Sequence, residues 1–248
     1  RLDAMSADTA LRANVRLLGG LLGRVLVEQE GQAMLDDVER IRALARDARA
    51  GGSRDQLGEA VASLDHDRQA AVLRAFALFF QLVNIAEQHH RIRRRREYEA
   101  EGRIPRESLA EAFARLDGGG VAGGALQAAG SRLRVELVLT AHPTEATRRT
   151  VLEAHRRLAA HLARLDDDGT PASERRRVED ALAEEITLLW QTDEIRSKRP
   201  RVVDEIRQGL WFFEQSFWNA IPELERALAD RLTGAESALR FGSWIGGD

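Results

Sequence analysis

Apolar residues recur every third or fourth position through the first 116 residues, a spacing that restricts this part of the chain to packed helices. Leu11, Val15, Leu18, Leu22, Val25 and Leu26 line one helical face. Gly31 interrupts the pattern, and Met34, Leu35, Val38, Ile41, Leu44 and Ala45 form a second face. Gly51-Gly52-Ser53 is the next break. A short helix is expected from there to about Leu64, with Asp65 as the N-cap of its successor. Val72, Phe76, Phe79, Phe80, Val83 and Ala86 line that successor, which is long enough to run past Arg96. Gly102 and Pro105 end it, and a shorter amphipathic helix is predicted from about Arg106 to Leu116.

The pattern then changes. Gly118-Gly119-Gly120 and Gly123-Gly124 read as a flexible loop, without the Gly-Lys-Ser/Thr ending of a phosphate-binding loop. Leu133 to Thr140 is short, branched and apolar, the best strand candidate in the chain. His142-Pro143 ends it, because the residue before proline is held extended. Helices are predicted from Glu145 to Leu165, from Ser173 to about Ser197 and from about Val203 to Leu232, with a second short strand at Leu239–Trp244. Two short strands in a helical protein do not make a stable sheet alone. The chain also begins at Arg1 and stops in the turn Gly246-Gly247-Asp248. The expectation is a predominantly α-helical front part of something larger, with strands near 133–140 and 239–244.

Composition narrows the function classes. The 37 Lys+Arg and 40 Asp+Glu residues leave a net charge of −3, which argues against a general nucleic-acid coat. Cysteine is absent, which removes disulfides, thiol nucleophiles and Cys-based metal sites. No run of about 18 apolar residues is present, so no membrane span is expected, and the N-terminus lacks a signal-peptide pattern. Arg91 to Arg96 holds five arginines that could bind phosphates. Glu97, Glu99 and Glu101 follow at once, so the preferred reading is a solvated helix end with i,i+4 ion pairs and no nucleic-acid partner. His89 and His90 are adjacent and His155 and His161 are six apart, neither a spacing for joint metal ligation on a helix.

The densest chemistry lies in Val138-Leu139-Thr140-Ala141-His142-Pro143-Thr144-Glu145-Ala146-Thr147-Arg148-Arg149. An imidazole at the C-terminal end of a strand sits where barrel and open α/β proteins place reactive groups. It titrates near neutrality and can move a proton there. The helix expected after Pro143 offers free N–H groups to an anion, and Arg148 and Arg149, one turn inside, add two fixed charges. Two readings stay open on spacing alone. One is a proton-transfer group beside an anion site. The other is a strand-to-helix turn with a surface histidine and solvated arginines.

This block resembles the histidine signature of the phosphoenolpyruvate carboxylase family, matched at Thr140 to Glu145 and at Arg148 and Arg149. Three further blocks resemble the family in the same order. They are Asn84-Ile85-Ala86-Glu87-Gln88-His89-His90-Arg91, then Thr192-Asp193-Glu194-Ile195-Arg196 with Pro200, Asp204-Glu205 and Arg207, then Phe241-Gly242-Ser243-Trp244-Ile245-Gly246-Gly247-Asp248. In the last, Ile245 stands where the family usually has Met.

The resemblance implies a large, mostly helical domain around an eight-stranded, TIM-like β/α barrel, with residues 1–132 as outer helices and 133–248 as its first part. It implies carboxylation of phosphoenolpyruvate with bicarbonate to oxaloacetate and phosphate, by way of carboxyphosphate and enolpyruvate, feeding the tricarboxylic acid cycle. His142 matches the essential histidine and Trp244 a tryptophan of the hydrophobic pocket. Arg148, Arg149 and Arg196 match arginines of an allosteric sugar-phosphate site in plant members. Mg²⁺ or Mn²⁺ is implied as cofactor, bound by carboxylates outside this chain, with no metal site in residues 1–248. A cytoplasmic homotetramer responsive to allosteric metabolites is also implied. Residues 1–248 alone are expected to be inactive. The rival class is a non-catalytic helical module binding anions or a partner through its arginines.

Overall fold

The computed structural model describes residues 2–139, 147–167, 169–193, 201–232 and 238–243. They form helices apart from one two-stranded parallel sheet, and the chain divides into two compact units. The first comprises residues 1–94 and 150–193, the second 95–149 and 194–248.

The first unit holds α1 (Leu2–Glu30), α2 (Gln32–Arg49), α3 (Arg54–Ala62), most of α4 (His66–Ala100), α7 (Arg149–Leu165) and α8 (Ala172–Gln191). Its core follows from the helical spacing. Leu18, Leu22, Val25 and Leu26 of α1 meet Met34, Val38 and Ile41 of α2, and α4 adds Val72, Ala75, Leu78, Leu82 and Ile85. Ala154, Leu158 and Leu162 of α7 and Val178, Leu182 and Ile186 of α8 complete it. Gly31 has φ 87° between α1 and α2, a left-handed conformation that glycine adopts without steric cost. The Ser53 hydroxyl accepts from the Gln56 N–H to cap α3. Asp65 accepts from the Arg68 N–H at 2.8 Å, the expected cap of α4. By length and composition α4 could cross a membrane. One face of α4, from Val72 to Ala86, lies in this core, while Leu73 and Phe80 of the same stretch are exposed and Arg74 interrupts the apolar run.

The second unit holds α5 (Leu109–Gly118), α6 (Gly123–Gly130), β1 (Val135–Leu139), α9 (Val202–Phe212), a π-helical turn (Phe213–Phe217), α10 (Trp218–Ala229) and β2 (Leu239–Ser243). Its fully buried cluster is small: Phe113, Leu228, Leu232 and Ala238. β1 and β2 pair in parallel, from Val135↔Leu239 to Leu139↔Ser243. The π turn presents Phe213 and Phe217 to Phe241 of β2, with ring centroids 5.2 and 5.5 Å away.

Three expectations need correction. The glycine-rich stretch read as a loop carries α6 from Gly123, because Ala125-Leu126-Gln127-Ala128-Ala129 supplies enough helix formers to outweigh the flanking glycines. The single helix expected from Val203 to Leu232 is α9, the π turn and α10, ending at Ala229. Pro222 lies inside α10, where it lacks the N–H of a regular helical bond. Finally, α7 starts at Arg149, so Arg148 and Arg149 stand at its N-terminal boundary and not one turn inside it. The Glu145–Ala146 start expected for that helix lies outside the described residues, as do residues 194–197 of the helix expected to reach Ser197; among the described residues α8 already ends at Gln191, with Thr192 extended.

Candidate functional site

Parallel pairing sends both strands out at the same edge of the sheet. Leu139 and Ser243 are the last partners, on strands about 4.8 Å apart. Thr140-Ala141-His142 follows Leu139 directly and Trp244 follows Ser243. His142, Trp244 and Arg196 themselves lie outside the described residues.

Arg148 and Arg149 are described. Arg148 is half-buried just before α7, and Arg149, exposed, opens that helix. The first turn of α7 contains no acidic residue. Both arginines have partners within the protein, and their positive charges stand near the positive end of the helix dipole.

Three of the other histidines, His89, His90 and His155, have side-chain partners. His155 Nε2 lies 3.0 Å from Gln81 Oε1, and burial holds its pKa below the ordinary value. His89 is buried, with Nε2 2.7 Å from Asp166 Oδ2, while Arg93 donates to Asp166 Oδ1 at 3.1 Å. An Nη of Arg93 also meets His90 Nδ1 at 2.8 Å. Arg95 pairs with Glu99 one turn on, at 3.3 Å. Part of the Arg91–Arg96 run is thus engaged in ion pairs. Among the described residues, no three His, Asp or Glu side chains group as a metal ion would require, so these residues do not fit a divalent-ion site.

Two clusters escape a reading of the sequence. The contact of His89 and Arg93 with Asp166 joins positions more than 70 residues apart, and Asp166 opens an ordinary acidic turn. The second is Arg74, stacked on Trp190 with its centre 4.9 Å from the ring, at the C-terminal end of α8. Its one sequence signal is a lone charge within Ala70–Phe80.

The sequence profile of the phosphoenolpyruvate carboxylase family matches residues 11–248. The chain is 43% identical to the phosphoenolpyruvate carboxylase of Pseudomonas paraeruginosa over 253 residues, covering 97% of this chain and 28% of that protein. It is 42% identical to that of Pseudomonas aeruginosa, with the same coverage, and 41% identical to that of Marinobacter nauticus, covering 96% of this chain and 28% of the relative. The chain thus spans about 28% of the length of these curated relatives.

Proposed function

Because the chain belongs to the phosphoenolpyruvate carboxylase family, we propose that it supplies the proton-accepting part of the site that joins bicarbonate to phosphoenolpyruvate. The observation that carries this reading is the in-register parallel pair ending at Leu139 and Ser243. It directs the segments bearing His142 and Trp244 from one edge, the C-terminal edge where β/α barrels gather their chemistry. On this reading β1 and β2 are the first strands of that barrel. Their surface supports it: Val135, Leu137 and Val138, which alternate between the two faces of β1, are all exposed. Parallel sheets are ordinarily covered on both faces.

The chemistry follows from the groups. Bicarbonate attacks the phosphoryl group, the bond to the enol oxygen breaks, and carboxyphosphate and the pyruvate enolate form. His142 accepts the carboxyl proton of carboxyphosphate, the C–O bond to phosphate breaks, and CO₂ and phosphate separate. The enolate carbon then attacks CO₂ to give oxaloacetate. Carboxyphosphate hydrolyses and enolates protonate in water, so an apolar wall is needed, and Trp244 contributes to it. Arg148 and Arg149, with Arg196, form an anion site for an allosteric phosphate ester of the sugar-phosphate class. Mg²⁺ or Mn²⁺ is held by carboxylates outside residues 1–248, which alone are inactive. The whole enzyme is a cytoplasmic homotetramer.

The test is His142→Asn in the full-length protein. Oxaloacetate formation should fall by about 10²-fold to 10⁴-fold, the range for a lost general base, with the thermal transition unchanged. Activity within a few-fold of wild type would remove His142 from the mechanism and favour a module that only binds anions.

A further inference from the structure

We propose that the cleft between α1, α2 and α4 of the first unit binds an aromatic monocarboxylate, a flat apolar body with one anionic head. The cleft has a volume of about 410 Å³, within the range of about 300–1,000 Å³ usual for small-molecule sites, and its lining is mainly apolar. Leu35 and Val38 of α2 and Phe76 and Phe79 of α4 form its walls, and Gly19, Gly20 and Gly23 of α1 form its floor. Two of these glycines have neighbours within the unit. A Cβ on Gly19 would lie 3.3 Å from Phe79 Cε2, and one on Gly23 3.6 Å from Leu35 Cδ1. A Cβ on Gly20 would meet nothing within 4 Å. Gly20 also lies in the interior of α1 without a positive φ, so neither backbone conformation nor packing within the unit calls for so poor a helix former. A bare backbone does let a planar group approach closely, as the Phe79 ring already does at Gly19.

Charge decides which way the occupant lies. Arg16, Gly20 and Gly23 fall at i, i+4 and i+7, on one line along α1. The Gly23–Leu35 approach lies toward the Gly31 break that joins α1 to α2. Seven residues farther from that break on each helix, about 10 Å along the axis, stand Arg16 on α1 and Arg42 on α2, both lining the cleft. The end near the break is therefore apolar and the far end cationic. Arg42 donates to Glu39 at 3.1 Å, which leaves that pair neutral. Arg16 is exposed and pairs with no carboxylate among the described residues. The lining thus carries one uncompensated positive charge beside an apolar floor. A carboxylate at Arg16 gains a charge-assisted bond, while rings on the Gly20–Gly23 floor meet the aromatic wall of Phe76. A span of about 10 Å suits fused rings on a short acid arm.

Isothermal titration of the full-length protein with naphthylacetate tests this. Naphthylacetate should bind, and naphthylacetamide, the same body without the charge, should bind about tenfold more weakly. Octanoate, with the same head and no ring, should also bind more weakly. Arg16→Gln should weaken naphthylacetate by about fivefold, the scale for an exposed charge-assisted bond, and leave naphthylacetamide unchanged. Gly20→Leu fills the cleft from a position with open space and improves the helix, so it should abolish binding of both while the thermal transition holds. If Gly20→Leu fails to fold, Gly20→Ala carries the same criterion, with a loss of about threefold from the floor raised by one methyl group. Absence of binding to the full-length protein overturns the proposal, because the cleft is then closed to ligands. Naphthylacetate binding that survives Gly20→Leu overturns it too, by placing the ligand elsewhere. Octanoate binding as tightly as naphthylacetate overturns the aromatic assignment.

Discussion

At the scale of single residues, the charged and polar groups divide into those that hold the helices together and those left for chemistry. His155 belongs to the first kind. Burial disfavours its imidazolium, so its pKa in the folded chain lies below the ordinary 6.5. Above about pH 6.5 both the folded and unfolded forms are neutral and the group contributes nothing to the balance. Below that value the unfolded chain takes up a proton that the folded chain resists, so stability falls with pH and levels off only below the folded pKa. The urea midpoint of the first unit should therefore drop between pH 7.5 and 5.5, and His155→Gln should flatten that drop. An unchanged slope would mean that other groups carry the acid sensitivity. Leu158 tests the core itself. It is 0% exposed in α7, and Leu158→Ala should cost about 2–5 kcal/mol in a denaturant titration. His142 stands apart from these, since only its sequence context marks it: an imidazole expected at a strand end and followed by proline. The pair formed by His89 and Asp166 is not legible that way, because neither neighbourhood signals the other.

At the scale of elements, patterns with strong local causes are readable and those decided by packing are not. β1 and β2 follow from short branched or aromatic runs between turn signals, and the helices of the first unit follow from their apolar spacing. The start of α7 differs from the expectation in that Thr147 and Arg148 are not helical and the helix begins at Arg149, while residues 140–146 lie outside the described residues. The π turn had no signal in residue type. Its effect is visible only in the ring cluster of Phe213, Phe217 and Phe241, where a wider turn aims two aromatic side chains at β2. α6 was hidden by its glycines, and one of them has a packing reason. A Cβ on Gly130 would lie 3.0 Å from Leu232 Cβ, an atom fixed to the backbone that cannot swing aside. Gly130→Ala gains at most about 1 kcal/mol of chain entropy and helix propensity, against about 1–3 kcal/mol for overpacking. The net effect should be destabilising. It should appear as faster amide exchange in α6 and α10, with the helices of the first unit unaffected. A stabilised variant would show that Leu232 yields.

At the scale of the molecule, the two units differ in how far each covers its own apolar surface. The first closes five long helices on one continuous core. Among the described residues, the second has a small buried apolar cluster of Phe113, Leu228, Leu232 and Ala238 and leaves Val203, Ile206, Leu210 and Trp218 exposed along α9 and α10, besides both faces of β1. An exposed apolar set of this extent marks a surface that something else covers. If β1 and β2 begin a barrel, that cover comes from the rest of a protein of the relatives' length, of which this chain spans about 28%. Trp218, 78% exposed here, gives the sharpest test. In a protein consisting of residues 1–248, Trp218→Ala removes a side chain facing water and should shift stability by no more than about 0.5 kcal/mol. In the full-length protein the same substitution would empty a buried site and should cost about 3–5 kcal/mol. Denaturant midpoints for the four proteins, with and without Trp218 at each length, measure the difference directly. Equal small costs at both lengths would mean that the second unit keeps this face in water, and that the strands and helices around it do not continue into a barrel there. A large cost confined to the full-length protein would mean that the Trp218 face of the second unit is covered there, as the barrel reading requires.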